Sequence, residues 1–221
     1  MHGATWVEQA FNLACGLLLL TAIGALWRRE TSALIPILTV QGGALTAIAI
    51  LLACGHPDGT EAMLVAAVVG LLKVVIIPLL LRRVHRFVRN ARETRPLVNV
   101  ATSLLAAAGL CLLAYAAARP LVAVAESPTA RATPVGLSLV LIGFFLAATR
   151  HRAISQIVGL LLIDNGIAAT AFLATDGVPL IVELGVCADL VLAVLVLQVL
   201  TARMVHTFGD GDLDDLRELH D

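Results

Sequence analysis

The chain has 221 residues, is 59% hydrophobic and 14% charged, and carries a formal net charge of −1, with a mean hydropathy of +0.95. A soluble domain of this size does not need so much apolar sequence, and the near-neutral charge argues against a nucleic-acid role. Runs of about 20 apolar residues recur from end to end, long enough for helices to cross ~30 Å of hydrocarbon. The ten-residue alternation of barrel strands is absent, and in lipid each backbone amide must be satisfied within its own segment. The expectation is an all-α polytopic membrane protein.

Seven transmembrane helices are predicted. The first, 5–26, has no positive n-region and no clear cleavage site, so it reads as a span rather than a signal peptide. The second, 33–54, holds Gln41-Gly42-Gly43 and precedes the turn Gly55-His56-Pro57-Asp58-Gly59. The third, 62–81, contains Lys73 and Pro78, and a basic stretch with six arginines follows at 82–95. The fourth is 97–118. A loop at 119–132 leads to the fifth, 134–149; Arg150-His151-Arg152 then precedes the sixth, 153–174, and a tight turn closes a hairpin with the seventh, 179–203.

Arginine placement orients these spans. One side collects twelve arginines and the other only Arg119 and Arg131, which by the positive-inside rule puts the N-terminus outside and the C-terminus in the cytoplasm. The basic stretch is a topology anchor or, in a sharper reading, a docking or anionic-lipid surface. The tail holds Asp210-Gly211-Asp212-Leu213-Asp214, but Asp215 stands where a calcium loop needs glycine. The four cysteines, Cys15, Cys54, Cys111 and Cys187, are isolated and lack CxxC or Cys/His spacing, so they read as small buried hydrophobes. No metal or cofactor site is expected.

Helices one to three and five to seven share landmarks: a basic turn, a polar spot (Gln41-Gly42-Gly43 or Asp164-Asn165-Gly166), an outer turn, and a helix with a central ion (Lys73 or Asp189). This suggests a parallel duplication. The domains are then 1–96 (a three-helix unit with its basic loop), 97–132 (a connecting helix and outer loop), 133–203 (a second three-helix unit) and 204–221 (an acidic cytoplasmic tail).

At ~1.5 Å per residue, Lys73, Asp164 and Asp189 fall near the midpoints of their spans, with Gln41 and Asn165 at similar depth. Glu183 lies nearer the outer end of the seventh helix. Ionisable residues in a bilayer belong in a protein interior or a wet pocket. Three readings follow: a structural ion pair, a midplane site for a cation or solute, or a proton relay. Burial favours the neutral form of carboxylate and ammonium alike, and a nearby opposite charge pulls each back, so moving one charge switches its neighbour. Gln41 and Asn165 would be polar bridges for water. Pro78 removes an amide from the ladder and favours a helix kink near Lys73.

The run Leu72-Lys73-Val74-Val75-Ile76-Ile77-Pro78, the segment from Ile157-Val158-Gly159 to Asp164-Asn165-Gly166, and Val182-Glu183-Leu184-Gly185 to Ala188-Asp189 resemble one family. It is the E subunit of group 4 membrane-bound nickel–iron hydrogenases, the hydrogenase-4 or formate hydrogenlyase type, and its acidic tail is matched by Asp212-Leu213-Asp214. The last three helices also resemble the K subunit of respiratory complex I, whose two membrane glutamates are implicated in proton translocation. Asp164 matches the first by position; Asp189 or Glu183 matches the second.

The resemblance implies a non-catalytic subunit of the inner membrane of a bacterium or archaeon. It would sit among antiporter-like subunits beneath a cytoplasmic hydrogenase-like or quinone-reductase-like arm. Lys73, Asp164, Asp189 and Glu183 would relay protons or another cation, and redox chemistry would belong to partners. A stand-alone secondary transporter and a structural membrane scaffold are the rival expectations.

Overall fold

Among the described residues, six spans of 21 to 25 residues are long and apolar enough to cross a membrane: Trp6–Trp27, Ser32–Cys54, Ala62–Arg83, Val100–Val124, Thr129–Thr149 and Ser155–Thr175. They come from a computed structural model that describes residues 2–28, 30–55, 59–87, 98–124, 127, 129–150 and 153–175. The chain is a multi-pass membrane protein, and its secondary structure is all helical among the described residues. The expected seventh span at 179–203, with Glu183, Cys187 and Asp189, the tail at 204–221 and residues 88–97, which include the second half of the basic stretch, lie outside the described residues.

The helices are α1 (His2–Trp27), α2 (Thr31–Cys54), α3 (Gly59–Gly70), a π-helical turn (Leu71–Ile76), α4 (Ile77–Phe87), α5 (Val100–Val124), a 3-10 turn (Thr129–Ala132), α6 (Thr133–Thr149) and α7 (Ala153–Thr175). Hydroxyl side chains inside them find local acceptors instead of meeting hydrocarbon: Thr46 Oγ1 donates to Gly42 O (2.8 Å), Ser138 Oγ to Pro134 O (2.7 Å) and Thr170 Oγ1 to Gly166 O (2.7 Å). Such i to i−4 bonds let Ser and Thr sit in apolar helices with no unmet donor.

Two expected boundaries move. The fourth span begins at Val100 rather than 97 because Asn99 caps it: its Oδ1 accepts the Thr102 N–H at 2.8 Å, the usual satisfaction of an orphan amide in the first turn. The same helix then runs past 118 through Pro120 to Val124, so residues 119–124 of the loop expected at 119–132 are helical. A 3-10 turn, Thr129–Ala132, leads into α6, where Pro134 sits in the first turn, its missing N–H being one the helix leaves unbonded anyway.

Helix α2 is the hub: it packs against α1, α3, the π turn, α4 and α7. On its other side α1 meets α6, which carries α7 and α5. The α6–α7 contact is made through glycines seven residues apart on both helices. A methyl on Gly166 would sit 2.6 Å from the Val140 amide nitrogen, and one on Gly136 would sit 2.5 Å from that of Thr170. Gly143 and Gly159 lie as close to Ile163 and Ala147. In lipid, where apolar side chains gain little by leaving the tails, such backbone-to-backbone approach is what holds helices together. This seam sets the rotation of α7 about its axis. By contrast, α5 buries only the small residues Ser103, Ala107, Ala114 and Ala118, and turns Leu105, Leu112, Leu113 and Leu121 outward.

Arg150, expected only as a topology anchor, is buried at the end of α6. Its Nη2 donates to Leu26 O and Arg28 O, each at 3.1 Å, and so satisfies carbonyls that α1 leaves free at its C-terminus. Arg150→Met removes these charge-assisted bonds and is expected to lower stability by about 2 kcal/mol, read from detergent unfolding of the full chain; no shift would mean that solvent replaces the guanidinium. The cysteine expectation needs correction at one position. Cys15 is buried and Cys111 half-buried, but Cys54 is exposed because it is the last residue of α2, beyond the packed part of the bundle.

Candidate functional site

Asp164 is the central residue of α7 (Ala153–Thr175). With Asn165 it is turned away from the glycine seam, into the bundle beside α2 and the π turn. Lys73 sits within that turn on the third span. Its Nζ lies 2.8 Å from Asp164 Oδ2, and the two side chains keep only 2% and 6% of their surface exposed. The same Nζ donates to Asn165 Oδ1 at 2.9 Å, and Asn165 Nδ2 donates to Gln41 Oε1, also at 2.9 Å. The bonds to Asp164 and Asn165 are among the interactions that Lys73 makes. Lys73, Asp164, Asn165 and Gln41 thus form one continuous chain across three spans. All four lie within about two residues of the middle of their membrane segments.

The long lysine stem is what allows this. α3 and the π turn pack on α2, and Lys73 reaches past α2 to α7. Two residues bring it there. Pro78 has no N–H, so the helix ladder before it is already interrupted. The backbone there takes up an extra residue: the Ile77 N–H bonds to Leu72 O, five residues back. π turns of this kind redirect side chains and recur at functional sites. The second residue is Gly42, where a methyl would come within 3.0 Å of both Lys73 Cβ and Lys73 O. Its missing side chain lets α2 lie directly on the lysine backbone.

The arrangement has a definite chemistry. A carboxylate and an ammonium 2.8 Å apart can interconvert with a neutral pair by moving one proton. The charged form is held by partners that make up for lost water: the amides of Asn165 and Gln41 continue the hydrogen bonds inward from the ion pair. Without such partners two buried ions would recover little of their desolvation penalty. Gln41 and Asn165 bond to each other directly.

Of the residues singled out from sequence, Lys73, Asp164, Asn165 and Gln41 come together, and Pro78 adjoins the π turn. Glu183 and Asp189 lie outside the described residues. Reading by sequence missed the glycine seam and the packing of Gly42 on Lys73. The seven-residue spacing of Gly136 with Gly143 and of Gly159 with Gly166 was the available signal.

No protein-family model matches the chain, and no solved structure matches it. It is 46% identical to the uncharacterized protein Rv0085 of Mycobacterium tuberculosis over 212 residues, 95% of this chain and 96% of that protein. Hydrogenase-4 component E of Escherichia coli (strain K12) is 26% identical over 147 residues, 66% of this chain and 68% of its own. The component E of Shigella flexneri matches to the same extent. A multi-pass chain with this much of its length shared belongs to one family with the mycobacterial protein, and is a distant homologue of hydrogenase-4 component E.

Proposed function

We propose that this chain is a non-catalytic membrane-arm subunit of a hydrogenase-4-like, complex I-like redox complex, and that its buried charges carry protons, or another cation, through the membrane. The observation that carries this reading is the Lys73–Asp164 pair at 2.8 Å, sealed at mid-membrane and continued by amides. A scaffold needs no ion pair there, since apolar side chains of similar volume hold helices together at least as well. The distant likeness to hydrogenase-4 component E supports the setting.

In this reading Asp164 takes and releases the proton, Lys73 answers with its own charge, and Asn165 and Gln41 hold the geometry. Asp189 is the second protonatable group and Glu183 the link to the outer side. The redox centres belong to a cytoplasmic hydrogenase-like or quinone-reductase-like arm, and antiporter-like subunits flank the chain in the inner membrane of a bacterium or archaeon.

The test uses the assembled complex, purified in mild detergent and reconstituted in vesicles. Asp164→Ala or Lys73→Ala is expected to reduce proton uptake or release at least tenfold per turnover, with the redox arm still present. Pumping and turnover both at wild-type level would rule out the relay.

A further inference from the structure

The donors of the buried chain all point one way. Lys73 offers only N–H groups while charged, so the Asn165 atom facing it at 2.9 Å is Oδ1. The amide nitrogen of Asn165 then faces Gln41, and at 2.9 Å it meets Oε1. Gln41 Nε2 is left at the far end, on a side chain with no exposed surface, without a hydrogen-bond partner among the described residues. Turning Gln41 over would set two N–H groups face to face. The unmet donor is therefore imposed by the charge on Lys73, two side chains away. A buried N–H with no acceptor is rarer in proteins than a buried carbonyl with no donor, and it costs free energy.

A neutral Lys73 removes the constraint. Its proton passes from Nζ to Asp164 Oδ2, 2.8 Å away, and the bonding pair stays on nitrogen as a lone pair. Nothing is oxidised or reduced. Once the proton has moved on from Asp164, that lone pair is open to Asn165. Asn165 can then turn its Nδ2 toward Lys73, and Gln41 can turn its Nε2 toward Asn165 Oδ1. Only a carbonyl remains unmet at the sealed end.

We propose that Asn165 and Gln41 form a two-position amide switch whose direction is set by the charge of Lys73, with Gln41 as the positioning residue at its end. The proposal rests on the reading of Lys73 and Asp164 as proton carriers. It adds that departure of the proton is registered on α2, the hub against which α1, α3, α4 and α7 all pack. Asp164 is the ionisable side chain of α7 set against Lys73. Helix α2 carries no charged residue along its length. The charged and titratable residues of α3 and α4 (Glu61, Arg82, Arg83, His85 and Arg86) lie nine or more residues from Lys73 along the helix.

The test is infrared spectroscopy of the full chain in lipid vesicles, with carbon-13 in its glutamine side chains and Gln41→Leu used to assign the Gln41 carbonyl band. In the wild type at neutral pH this carbonyl accepts from Asn165, and its band is expected at the hydrogen-bonded position. It is expected to move to higher wavenumber in the wild type once alkaline pH has discharged Lys73, and to show no such alkaline shift in Lys73→Met, which has no group at that position to titrate. A band unmoved after Lys73 has lost its charge overturns the switch, as does an alkaline shift of the same size in Lys73→Met. If Lys73 and Asp164 hold both charges throughout the titration, the relay reading falls, and the switch, with no discharged Lys73 to turn the amides, falls with it.

Discussion

Asp164→Leu is expected to destabilise the folded chain by about 3–5 kcal/mol, because it takes the carboxylate 2.8 Å from the buried Lys73 ammonium out of the pair. Adding Lys73→Met should return most of that loss, bringing the double variant to within about 2 kcal/mol of wild type, since a buried pair is worth little against apolar side chains of similar size. The remaining deficit comes from Asn165 Oδ1, which loses its donor. Unfolding of the purified chain in detergent measures all three differences. The cycle also separates packing from transport: the double variant should regain stability and assembly without regaining proton movement. A single variant within about 1 kcal/mol of wild type would mean that water reaches Lys73 freely, contrary to its burial. A double variant that pumps normally would leave the pair a purely structural role.

The second large effect lies in the seam between α6 and α7. Gly166→Ala would put its methyl 2.6 Å from the Val140 amide nitrogen and 2.9 Å from Gly136 O. Backbone cannot rotate out of the way as a side chain can, so the helices must part. Overpacking of this kind costs about 1–3 kcal/mol, and Gly159→Ala, 2.7 Å from the Ala147 amide nitrogen, should behave alike. Together they are expected to widen the α6–α7 separation, measurable with paired spin labels, and to displace Asp164 from Lys73. Gly16→Ala and Gly109→Ala are the controls, for neither methyl would meet another atom within 4 Å. They should leave stability unchanged or slightly raised, as alanine is the better helix former. If all four substitutions were equally harmless, close backbone approach would not be what holds this pair of helices.

Much of this architecture is legible without coordinates, and for one reason. A bilayer forbids unsatisfied backbone, so apolar length alone announces helices, and the six described spans fall on expected ones. The same rule makes an ion at mid-span conspicuous, which is why Lys73 and Asp164 stand out, and why the amides Gln41 and Asn165 at equal depth attract notice. What hydropathy does not register is small and local. It reads Arg150 as one more positive charge at a helix end, although the guanidinium is folded inward as the cap of α1. It treats Cys54 as another apolar residue, although the helix ends there in the open. Glycine scores as nearly featureless, so the residues that determine how closely the helices approach leave almost no hydropathic trace.

From the sequence alone come the membrane class, the depth of each polar group and the candidates for the buried site, because each depends on distance along one helix and on the solvent around it. Only the tertiary structure decides that Lys73 meets Asp164 and Asn165 across 91 and 92 residues of chain, and that Gln41 ends the line. Those contacts depend on how each helix is rotated about its own axis. That rotation is governed by glycine contacts between neighbouring backbones and by one π turn ahead of a proline, none of which is encoded in the periodicity of any single segment.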